Sequence, residues 1–119
     1  YVTEEYDLSA GAGSVSIESQ PSTAQILQGF LIDQNDSITA YDIDVEGVSG
    51  GVPGTTENFT FADGIMWDTV NEYSAITAIT INSITGASAG DLFYLIKSVT
   101  PNLRRFDHIY YSGKWYKNW

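Results

Sequence analysis

The sequence predicts an all-β fold, an antiparallel β-sandwich of Ig-like or jelly-roll type with seven or eight strands. Three observations carry that expectation. β-Branched and aromatic residues recur in short runs separated by Gly, Pro, Asn, Asp and Ser, the pattern of strands joined by turns. No segment keeps apolar residues at the 3.6-residue spacing of an amphipathic helix for three turns. In Tyr41-Asp42-Ile43-Asp44-Val45-Glu46 the alternation is strict, which places three apolar side chains on one face and three carboxylates on the other. At 119 residues the chain suits one domain able to bury a core without staples.

Taken in order, strands are expected over residues 14–18, 24–32, 41–46, 57–61, 75–84, 91–99 and 105–111, with shorter ones near Val2 and Trp67. Turn signals separate them: Gly11-Ala12-Gly13, Asn35-Asp36, the glycine-rich residues 47–54 with Pro53, Asp63-Gly64, residues 86–90 and Ser112-Gly113. Residues 22–28, which follow Pro21, also admit a turn or two of helix. Two strands break simple alternation. Leu92-Phe93-Tyr94-Leu95-Ile96 is apolar on both faces and so needs cover on both, within the fold or from another subunit. In residues 75–84, Ile79 and Ile81 share one parity while Ile76 and Ile84 take the other, which calls for a bulge near Thr77-Ala78 or burial on both faces.

Charge is distributed unevenly. The formal net charge is -10, yet residues 1–96 hold 14 carboxylates and no Lys or Arg, whereas residues 97–119 hold five basic side chains and only Asp107. An acidic body weighs against a nucleic-acid partner, because phosphates require a basic surface. The longest uninterrupted apolar run is residues 92–96, far short of the roughly 20 residues that span a bilayer, so no membrane partner is expected. The absence of cysteine rules out disulfides, thiolate metal sites and cysteine nucleophiles. With its only methionine at 66, the chain is expected to have lost an initiator, a leader or a preceding stretch.

Tests for chemistry favour structural explanations, and no enzyme activity or cofactor is expected. GxSxG occurs at Gly47-Val48-Ser49-Gly50-Gly51 and at Gly86-Ala87-Ser88-Ala89-Gly90, but neither lies between a strand and a helix as a nucleophile elbow requires. Any Ser/His/Asp triad would have to use His108, the sole histidine, which reads as a strand residue. Asp42, Asp44 and Glu46 stand about 7 Å apart along one strand face and, aided by a loop, would suit a calcium ion; a solvated acidic face is the simpler reading. Asp33-Gln34-Asn35-Asp36-Ser37 has calcium-loop residue types but lacks the glycine and distal glutamate of an EF-hand, and reads as a polar turn.

The organisation that follows is an acidic body over residues 1–103 and a basic aromatic segment over 104–119 of the same domain. Within that segment Arg104, Arg105, Tyr110, Tyr111, Lys114, Trp115, Tyr116, Lys117 and Trp119 are the residue types that interface cores and hot spots use, and they are the expected interface. The segment either folds back on its own acidic sheet or docks on the acidic surface of another copy or partner. The same aromatics would also suit a carbohydrate-binding β-sandwich module, with Trp115, Tyr116 and Trp119 as stacking surfaces.

Tyr73-Ser74-Ala75-Ile76-Thr77-Ala78-Ile79-Thr80-Ile81-Asn82-Ser83-Ile84-Thr85-Gly86-Ala87-Ser88-Ala89-Gly90-Asp91 resembles a strand-and-turn pattern of tailed-phage structural proteins. In these an aromatic residue precedes an alternating Ser/Ile/Thr strand, a turn of small residues, and a Gly-Asp or Gly-Asn pair that opens the next strand. With the strands at 38–47 and 57–61 the match extends over about residues 38–96. The resemblance implies a non-enzymatic virion component with a small β-sandwich, such as a capsid decoration or cement protein or a neck, tail or fibre subunit. Its expected location is the virion, and its expected partners are other virion proteins, the major capsid protein among them, and further copies of itself. The pattern carries no catalytic residue, and the basic aromatic tail lies outside it.

Overall fold

The structure is a computed structural model; it describes residues 2, 3 and 5–97 with their side chains, and the backbone of residues 108–111 and 114–117. Eight strands form two four-stranded antiparallel sheets. They are β1 (Tyr6–Asp7), β2 (Gly13–Ser14), β3 (Leu27–Ile32), β4 (Ala40–Ser49), β5 (Val52–Thr60), β6 (Met66–Asp68), β7 (Tyr73–Thr85) and β8 (Leu92–Lys97). The first sheet has the order β1-β8-β3-β6 and the second the order β2-β7-β4-β5. A separate antiparallel pair, β9 (His108–Tyr111) and β10 (Lys114–Lys117), follows.

These orders have a simple origin. β1 pairs with β8, β2 with β7, β3 with β6 and β4 with β5, so the chain is a nest of hairpins whose innermost turn joins β4 to β5. Rolling that double ribbon around a common interior adds two further ladders, β3 with β8 and β4 with β7. The result is the jelly roll, the second of the two expected sandwich topologies. Three of the four edge strands are short, with two residues each in β1 and β2 and three in β6, too few to recruit another strand readily; the fourth, β5, runs for nine residues. On the β7 edge the Gln20 amide stands in for a strand, its Nε2 donating to Ile76 O (2.8 Å) and its Oε1 accepting from Ile76 N (2.7 Å).

The core lies between the sheets. Leu27, Leu31, Trp67, Phe93 and Leu95 of the first sheet meet Tyr41, Ile43, Val45, Phe59, Tyr73, Ile76, Ile79 and Ile81 of the second. Trp67 stacks on Phe59 across the interior, with ring centroids 3.6 Å apart. Opposite the indole on β3 is Gly29, where a Cβ would stand 2.3 Å from Trp67 Cη2; only glycine leaves room for the ring. Each fully buried aliphatic or aromatic side chain contributes about 1.5–3 kcal/mol.

The expected bulge near Thr77 is present, and it is one of three. Along the β4–β7 ladder the register shifts leave Ser74, Thr77 and Asn82 without a partner of their own. Each extra residue flips the phase of β7, so Tyr73, Ile76, Ile79, Ile81 and Ile84 stand opposite Ser49, Gly47, Val45, Ile43 and Tyr41. All five therefore point towards the interior, which removes the apparent split between Ile76/Ile84 and Ile79/Ile81.

Other expectations need correcting. Residues 47–54 are mostly strand, because β4 and β5 run to a tight turn at Gly50-Gly51, with φ of 57° and 77°; two successive positive φ values match the twist of a hairpin. Residues 14–18 yield strand only at Gly13–Ser14, followed by an isolated bridge from Ile17 to Thr3. Residues 22–28 form no helix: Gln25 bridges to Tyr73 and the strand begins at Leu27. Of the expected strands at 91–99 and 105–111, residues 98–107 lie outside the described residues.

Two buried aspartates order this end, Asp33 closing the polar turn at 33–37 on itself and Asp91 holding that turn to the one at 86–90. Asp33 accepts from Ser37 N (3.0 Å) and Ile38 N (3.1 Å), and Asp91 from Gln34 N (3.0 Å) and Ser88 N (2.9 Å). Buried carboxylates are tolerated where several N–H groups satisfy them, and here they brace one end of the sandwich.

Candidate interaction surface

The two sheets present unlike outer faces. On the first, the register lines up Ile32 with Leu92, Phe30 with Tyr94 and Gln28 with Ile96, while Met66 stands opposite Phe30 on its other side. Phe30 and Tyr94 stack with centroids 5.2 Å apart. Ile32, Leu92, Phe30, Tyr94, Ile96 and Met66 are half-buried, and none belongs to the interior cluster or packs against it. Carboxylates rim this apolar plate: Glu5 accepts from the Tyr94 hydroxyl (2.6 Å), Asp68 accepts from Gln28 Nε2 (3.3 Å), and Asp7 stands opposite Leu92. The two-sided strand at 92–96 thus buries Phe93 and Leu95 inside and turns Leu92, Tyr94 and Ile96 outward.

The outer face of the second sheet is polar. Asn58 Nδ2 lies between two carboxylates, donating to Asp42 Oδ1 (2.5 Å) and Asp44 Oδ1 (2.7 Å). Asn82 Nδ2 donates to the same Asp42 oxygen (3.0 Å). Hydrogen bonds from Asn82 and then Asn58 hold the Asp42 carboxyl below its usual value of 3.8. An amide donor therefore occupies the place between Asp42 and Asp44 where a calcium ion would need oxygen ligands. Among the described residues no group of three or more His, Cys, Asp or Glu side chains is placed to hold a metal ion.

The residues expected to form the interface fall in and around the C-terminal strand pair. β9 and β10 set Lys114 opposite Tyr111, Trp115 opposite Tyr110, Tyr116 opposite Ile109 and Lys117 opposite His108. Arg104, Arg105 and Trp119 lie outside the described residues, and Lys114 to Lys117 form a strand that the residue pattern did not suggest. Phe30, Ile32 and Met66 were not singled out either. Their signal was present in Phe30-Leu31-Ile32, which is apolar at both parities like residues 92–96.

The possible nucleophiles are engaged in structure. Ser88 Oγ lies 3.3 Å from Asp91 Oδ2 and 3.1 Å from Ser37 Oγ, inside the brace between two turns. Ser49 ends β4 beside the Gly50-Gly51 turn. Among the described residues the best-connected acid is Glu57, which accepts from Val70 N (2.7 Å), Asn71 N (3.0 Å), Asn71 Nδ2 (3.1 Å) and the Tyr73 hydroxyl (2.9 Å). Burial pushes the Tyr73 phenol well up, and Glu57 pushes it further. Burial likewise raises Tyr41 to about 12, partly offset by the nearby Trp67 indole; the Tyr41 hydroxyl donates to Gly64 O. Trp67 Nε1 is itself buried outside hydrogen-bond geometry. These groups fix the β5–β6 and β6–β7 connections to the core. No protein-family model, curated protein or solved structure matches the chain.

Proposed function

We propose that this protein is a non-enzymatic structural subunit of a virion, most plainly a capsid decoration or cement protein, that binds neighbouring virion proteins such as the major capsid protein and further copies of itself. The observation that carries the reading is the apolar outer face of the first sheet. A sheet whose outer surface serves only solubility alternates apolar-in and polar-out, as the second sheet does, whereas contiguous exposed apolar surface marks an interaction site. The rim of Glu5, Asp7 and Asp68 supplies charge for register and partner choice rather than raw affinity. The jelly roll supports the reading only by analogy, since viral capsid and lectin domains both use it.

Two measurements test this. Mass spectrometry of purified particles from the source should find the chain at a copy number comparable with that of the shell subunits; its absence would overturn the reading. Deleting residues 104–119, or placing Asp at Phe30, should abolish co-sedimentation of the purified chain with particles that lack it.

A further inference from the structure

We draw no further inference here: the strongest candidate, the apolar outer face of the first sheet formed by Phe30, Ile32, Met66, Leu92, Tyr94 and Ile96, is the surface on which the proposed function already rests, and nothing in the structure shows what covers it.

Discussion

The two sheets are built from the same interior logic and differ on their outer surfaces. Tyr41, Ile43 and Val45 of the second sheet and Leu27, Leu31, Phe93 and Leu95 of the first pack into one interior. On the outside, Asp42, Asp44, Asn58 and Asn82 form a hydrogen-bonded polar surface, while Phe30, Ile32, Leu92, Tyr94 and Ile96 form an apolar one. The interior explains why the chain folds, and the outer surfaces show that the fold has been made two-sided. Single apolar side chains on a surface are ordinary, whereas a contiguous aromatic and aliphatic face is the feature on which the proposed interface rests.

The largest effect that would separate the two layers is expected within a single strand. Phe93→Ala should cost about 4 kcal/mol in urea unfolding, as large-to-small core changes do. Ile96→Ala, on the outer plate of the same strand, should cost less than about 1 kcal/mol while weakening assembly. Similar stability losses at both positions would mean that the plate belongs to the core. Gly29→Ala follows, since its Cβ would stand 2.3 Å from the Trp67 ring; overpacking of this kind should cost about 3 kcal/mol, read as a lowered unfolding midpoint with unchanged slope.

Glu57→Ala is next. It leaves the Tyr73 hydroxyl without its acceptor and frees Val70 N and Asn71 N, with an expected loss of about 2 kcal/mol and faster amide exchange at residues 70 and 71. On the polar outer face, Asn58→Asp would set a third carboxylate between Asp42 and Asp44, at a cost of about 1 kcal/mol in low salt that largely disappears in high salt. A loss of the same size in high salt would contradict a solvated acidic face.

Two pH effects complete the series. Tyr41 has a folded value raised to about 12 from 10.0, so its contribution is fully present below 10 and is lost as pH rises towards 12. Unfolding monitored between those values should show stability falling, and Tyr41→Phe should flatten that fall. Asp42 has a lowered folded value, so its smaller contribution is present above 3.8 and lost as pH falls through the lowered value. In an NMR titration, Asn82→Ala should move Asp42 back towards 3.8.

Much of the fold was legible in residue patterns because strands with one dry face carry period-two alternation, as Tyr41 to Glu46 do. The topology was not, because strand order depends on which hairpins nest, and no local pattern records that Asp7 meets Leu92 or that Leu27 meets Lys97. The residues 47–54 were misread because glycine marks tight turns and strand interiors alike. At Gly47 the reason is crowding, since a Cβ there would meet Ala75 O at 2.2 Å; at Gly50 it is backbone conformation. The outer plate was half legible. Residues 92–96 announced two apolar faces, but Phe30 and Met66 join them only through cross-strand register, which three-dimensional pairing alone supplies.

The three unpaired residues of β7 bear on how reliably the chain finds its native alignment. An ordinary strand of alternating residues can slide by two positions along its partner and still present its apolar side inward. In β7 the extra residues Ser74, Thr77 and Asn82 belong to the strand itself and set which of its side chains share a face, bringing Tyr73, Ile76, Ile79, Ile81 and Ile84 to one side. Removing one of them turns every residue beyond that point to the other face, so shortening β7 by one residue should harm folding more than replacing any of the three.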